Sequence, residues 1–175
     1  MSTLRHASLV LKTSDFAVNT LNSFGFCDSV KARITWNNIN LRSLLGDMYD
    51  AYDSFNLCLN TIATTKAGVI DAPNQDVYVR ISGLPWSNQC YNVKNGSNGS
   101  STILGAFNFL SGASQVQYYY SNSIATFTKN QDICNITIEF VRISDDILGA
   151  PSGQVAYPNT IIILDIVGIP RSEYA

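Results

Sequence analysis

An all-β sandwich is the fold class the sequence predicts, and three observations predict it. The clearest is residues 134–143, CNITIEFVRI, where Cys134, Ile136, Ile138 and Phe140 share one face while Asn135, Thr137, Glu139 and Val141 share the other. That period of two with β-branched enrichment is the signature of a half-buried antiparallel strand. The second is residues 160–168, TIIILDIVG, in which Ile161 and Ile163 point one way and Ile162, Leu164 and Ile166 the other. Both faces of this strand want cover, which must come from a facing sheet on one side and from a loop or another subunit on the other. The third is the regular recurrence of strand-like runs with no alternation of strands and helices.

Taken in order, residues 8–13 form a short apolar strand, and residues 14–28 read as a polar connection with Gly25 as a turn residue. Residues 30–36, VKARITW, alternate, with Val30, Ala32, Ile34 and Trp36 on the apolar face. Residues 40–52, NLRSLLGDMYDAY, place Leu41, Leu44, Leu45, Met48 and Tyr52 at helical spacing, with Asn40 able to cap the start. Gly46 makes this one short, imperfect helix that plugs an end of the β-structure.

Alternation returns in residues 55–64, with Phe55, Leu57, Leu59 and Thr61 opposed to Asn56, Cys58, Asn60 and Ile62. Residues 77–84, VYVRISGL, are the next strand, which ends at the Gly83 and Pro85 break because proline donates no ladder hydrogen bond. Residues 85–101 are a Gly/Ser/Asn-rich surface loop, with Asn95-Gly96 as a turn signal. Short strands follow at 102–110, 115–121 and 124–129, the last two separated by a tight Asn122-Ser123 corner. After the main strand comes a polar connection, 144–159, and after the closing strand a tail, 170–175. Eight to nine strands in two sheets favour a single jelly roll over an immunoglobulin-like sandwich. The 175 residues fit one domain, 1–175, with an N-terminal strand and arm over 1–28.

Charged residues make up 14% of the chain against roughly 25% in ordinary soluble domains, so its surface is cheap to desolvate and suited to burial in an assembly. A net charge of −2 and the absence of any Lys/Arg run exclude a phosphate-neutralising face, so no direct nucleic-acid contact is expected. Lys12 interrupts the first apolar run, which is too short for a secretory signal, and no stretch is long enough for a membrane span. The sequons at Asn95, Asn98 and Asn135 are then expected to be unused. Cys27, Cys58, Cys90 and Cys134 lack metal-ligand spacing, and Cys58 and Cys134 are expected to be small buried hydrophobes.

Catalytic chemistry has few candidates. The single histidine, His6, stands near the start of the chain, where a solvent-exposed role is expected. Glu139 and Asp165 are the one carboxylate pair that a glycosidase of this fold class would use, provided that both face one cleft. Otherwise Glu139 belongs to a polar face, whereas Asp165 pairs with an arginine such as Arg80 or Arg142, or borders a subunit contact. Asp47, Asp50 and Asp53 lack the pattern of a calcium loop and read as a solvated helix end. Trp36, Trp86, Tyr91 and Tyr118 to Tyr120 supply aromatics for a core, a subunit contact or a sugar-binding face. No phosphate loop, metal motif or nucleotide fingerprint is present, and no cofactor is expected.

The phrases YDSFNLCLNTIAT (52–64), VYVRISGLPW (77–86), ITIEFVRISDD (136–146) and ILDIVGIP (163–170) together resemble the single jelly-roll minor capsid proteins of large icosahedral DNA viruses of the chlorella-virus kind. The resemblance spans most of 52–170 and leaves 1–36 unmatched. It implies a structural virion subunit with no active site, lying beneath or between major capsid trimers or, as a penton, at a fivefold vertex. Its implied partners are major capsid protein trimers, other minor capsid proteins and copies of itself, a pentamer if at the vertex. The expected contact residues are Ile161, Ile163 and Val167, as an outward strip on the closing strand, and Trp86, Tyr91, Asn95 and Asn98 in the long loop. A carbohydrate-binding module built on Trp86, Tyr91 and Tyr118 to Tyr120 is the alternative from another class.

Overall fold

A computed structural model describes residues 6–12, 25–27, 31, 33–64, 76–84, 101–108, 124–142, 147 and 160–170. The described strands are β1 (His6–Lys12), β2 (Gly25–Cys27), β3 (Arg33–Asn40), β4 (Ser54–Thr64), β5 (Asp76–Ser82), β6 (Ser101–Asn108), β7 (Ile124–Thr128), β8 (Ile133–Val141) and β9 (Thr160–Ile169). Two helices, α1 (Leu41–Leu45) and α2 (Asp47–Ala51), join β3 to β4. The strands form a four-stranded sheet, β1-β9-β4-β7, and a five-stranded sheet, β2-β3-β8-β5-β6.

The pairing is that of a jelly roll. Four antiparallel ladders nest one inside the next along the chain: β1 with β9, β3 with β8, β4 with β7, and β5 with β6. Rolling that long ribbon brings β4 against β9 and β5 against β8, which completes the two sheets. The ninth strand, β2, adds to the free edge of β3. Gly25 therefore lies inside a ladder opposite Trp36, not in a turn.

Alternation aims one face of each sheet at a shared core. Leu11, Phe55, Leu57, Phe127, Ile162, Leu164 and Ile166 enter it from the four-stranded sheet, and Ile34, Trp36, Val79, Ile81, Leu104, Ile136, Ile138 and Phe140 from the five-stranded one. Phe55 and Phe127 stack with centroids 5.3 Å apart, and Tyr52 meets Phe55 edge-on at 6.4 Å. The inner-face position Gly168 makes room for this ring, because a Cβ there would lie 2.5 Å from Tyr52.

The single helix expected over 40–52 is two one-turn helices. Asn40 caps the first, its side-chain oxygen accepting from Ser43 N at 2.9 Å, and Gly46 at φ 54° breaks the run. Leu41, Leu45, Met48, Tyr49 and Tyr52 are buried, so the pair seals one end of the sandwich. Tyr49 ties that end together: its hydroxyl donates to the Asp132 carboxylate, and Arg42 stands over its ring at 4.5 Å. Donation to Asp132, helped by burial, pushes the Tyr49 phenol above its ordinary value.

In β4 the alternation expected through Thr61 breaks. The register shifts between Leu59 and Thr61, so Ile62 is fully buried and Thr61 faces outward opposite Ile163. A β-bulge adds one residue to one side of a ladder and flips every later side chain. Val30 and Ala32, the expected strand 115–121 and the Asn122-Ser123 corner lie outside the described residues.

Candidate contact face

Strand β9 is the centre of the candidate site. Ile162, Leu164 and Ile166 are buried in the core, which turns Ile161, Ile163, Asp165 and Val167 to the outer face of the four-stranded sheet. Ile161 is 39% exposed there, and Val10, opposite Ile163 on β1, is 49% exposed. Val10, Ile163 and Ile161 make an apolar strip open to the outside, so the expected outward direction of Ile161, Ile163 and Val167 is what the fold produces. Val10 was missed because a short edge run shows too few residues to reveal its faces. Trp86, Tyr91, Asn95, Asn98 and Tyr118 to Tyr120 lie outside the described residues, whereas Trp36 is in the core.

Beside the strip stands a polar cluster centred on Asp165. Ser8 donates to its Oδ1 at 2.9 Å, Asn60 Nδ2 donates to Oδ2 at 2.5 Å, and His6 Nε2 lies 3.4 Å from Oδ1. Asn60 shares the outer face with Asn56 and Cys58 by the alternation of β4, and Thr61 donates to its side-chain oxygen at 2.7 Å. Among the described residues no arginine joins this cluster, and the expected candidate Arg80 serves Glu139 in the other sheet. His6 is part of β1 and this cluster, with its side chain 56% exposed. Cys58, opposite Asp165, is half-exposed on the outer face and not a core residue; burial, helped by the nearby Asp165 carboxylate, pushes its thiol up. Cys134 is in the core as expected, and burial pushes its thiol up to about 11.

Glu139 differs from expectation. Its position points away from the core, yet the residue is only 8% exposed. Arg33 and Arg80 stand directly opposite it on the two flanking strands; Arg33 Nε donates to Oε1 at 2.6 Å and Arg80 Nε to Oε2 at 2.7 Å. Two guanidinium groups satisfy both carboxylate oxygens, which is what allows a carboxylate to be covered.

Glu139 and Asp165 therefore point outward from different sheets, with the core between them. They share no cleft, and the two-carboxylate glycosidase arrangement does not exist in this fold. Asp50 pairs with Arg42 at 3.3 Å and Asp53 with Lys129 at 3.1 Å, and among the described residues no group of three or more His, Cys, Asp or Glu is placed to hold a metal ion. No helix among them is long and apolar enough to cross a membrane.

No family model matches the chain, and no curated protein is similar to it. Among the solved structures similar to it are two of viral capsid proteins. The mavirus penton protein is 15% identical with a TM-score of 0.36, over 55% of this chain and 35% of the penton chain. The human polyomavirus 6 VP1 pentamer is 10% identical with a TM-score of 0.35, over 95% of each chain. This chain thus spans about a third of the length of the mavirus protein.

Proposed function

We propose that the protein is a structural subunit of a viral capsid, a minor capsid or penton component of a large icosahedral DNA virus, residing in the virion. The observation that carries this reading is β9, apolar on both faces, with Val10, Ile161 and Ile163 left open on the outside of a jelly roll. A monomer gains nothing by exposing that strip, whereas a subunit buries it against a neighbour. The low share of charge and the sequence resemblance support the same reading. In it, residues 1–175 act as a single unit, and Trp86, Tyr91, Asn95 and Asn98 add a contact arm. The partners are major capsid trimers, other minor capsid proteins or further copies, and affinity accumulates from many weak contacts through valency.

Electron microscopy of the concentrated protein, alone and with candidate shell proteins, tests this beside a glycan array. Rings, shells or co-assembly with a blank array are the expected result. A monodisperse monomer that joins no shell protein and binds glycans overturns it in favour of a carbohydrate-binding module.

A further inference from the structure

We infer that the outer face of the four-stranded sheet is a self-complementary contact between two copies of this chain, related by a two-fold axis at the Val10–Ile163 rung. This takes the strip as a contact, as above, and names its partner. The register supplies the argument. Among the described residues, the outward positions of the four strands carry one positive and one negative full charge, Lys12 and Asp165. Lys12 stands opposite Ile161, Val10 opposite Ile163, and Ser8 opposite Asp165. The Lys12 rung and the Asp165 rung thus lie equally far on either side of the apolar rung, two residues or about 7 Å each.

Two sheets packed face to face about a two-fold axis in their interface exchange those flanking rungs. Lys12 of each copy then falls on Asp165 of the other, while Val10, Ile163 and Ile161 meet at the centre. Within one copy the two charges are about 14 Å apart, beyond a Debye length of about 8 Å, and do not pair. Lys12 is exposed and has no partner among the described residues. Asp165, by contrast, is held in place by Ser8 and Asn60, with His6 Nε2 3.4 Å from its Oδ1, and keeps lone pairs for a further donor. The outcome is an apolar centre with two reciprocal ion pairs at its margin, one occupant fitting its own shape and charge.

The test is a charge swap read by sedimentation equilibrium, with circular dichroism to follow folding. The chain is expected to dimerise, and Lys12→Glu, at an exposed position, to weaken the dimer about tenfold or more by setting Glu against Asp165. Asp165→Lys is expected to do the same, and the double variant Lys12→Glu/Asp165→Lys to regain most of the loss. Should Asp165→Lys disturb the fold, Lys12→Glu alone and the salt dependence of the wild-type dimer carry the test. A wild-type chain that stays monomeric up to about millimolar concentration, or a dimer indifferent to Lys12→Glu, overturns the inference. A monomer that still joins a shell would sink this contact and leave the capsid reading standing; a dimer with rescue but no shell would do the reverse.

Discussion

At Glu139 the local balance of desolvation and pairing decides what a residue does. Removing its carboxylate takes a charged partner from Arg80, whose side chain is only 16% exposed, while Arg33 at 41% reaches water more easily. Glu139→Ala is expected to destabilise the fold by about 2 kcal/mol, below the 3–5 kcal/mol of a fully buried pair because Arg33 is partly hydrated. Arg80→Ala should cost more than Arg33→Ala, and urea titration of the three variants gives the order. Cys134 supplies a pH prediction. Its thiol ionises at about 11 when folded against 9.0 as the ordinary value, so its share of stability is complete below pH 9 and disappears as pH rises to 11. Tyr49, also raised, acts in the same direction. Thermal unfolding between pH 8 and 11 should show a steep alkaline loss that is shallower in Cys134→Ala. The apolar alternation around Cys134 made its burial legible in the sequence. Asp165's partners were not legible, since Ser8 and Asn60 lie on other strands more than 100 residues away in the chain.

Among the elements, long strands were readable and irregularities were not. The β8 and β9 patterns give their buried faces directly, because each has enough residues for a period of two to show. In β4 the pattern was sound until Leu59, after which the extra residue reversed it. Nothing in the run LNTIAT marks where a ladder will insert a residue, since a bulge depends on what the partner strand offers. The three-residue β2 was hidden for a related reason: it exists only because β3 has a free edge to receive it. The turn after β5 carries a sharp prediction. Gly83 has φ 97°, and a Cβ there would lie 1.7 Å from the carbonyl oxygen of Asn135. Gly83→Ala should therefore cost about 3 kcal/mol or more, through strain and displacement of β8 together, read as a lower denaturation midpoint. The Asn40 cap is the milder counterpart, for which Asn40→Ala should cost about 1 kcal/mol.

On the scale of the whole molecule, the jelly roll consumes one face of each sheet and leaves two outer faces with different characters. One is crossed by the Arg33–Glu139–Arg80 row, and the other has the Val10–Ile163–Ile161 strip beside the Asp165 cluster. The sequence made the second face legible through a single strand that is apolar on both sides. It concealed the first, because Glu139 alternates like an ordinary surface residue and its arginines lie on other strands. In the proposed function the outer face of β9 is a contact surface, and an Ile163→Asp substitution puts a charge at its middle. Light scattering over a wide concentration range, with circular dichroism on the same samples, is the measurement. The variant is expected to keep its strand spectrum and to lose association with copies or shell proteins. Association unchanged in a folded Ile163→Asp variant would contradict it.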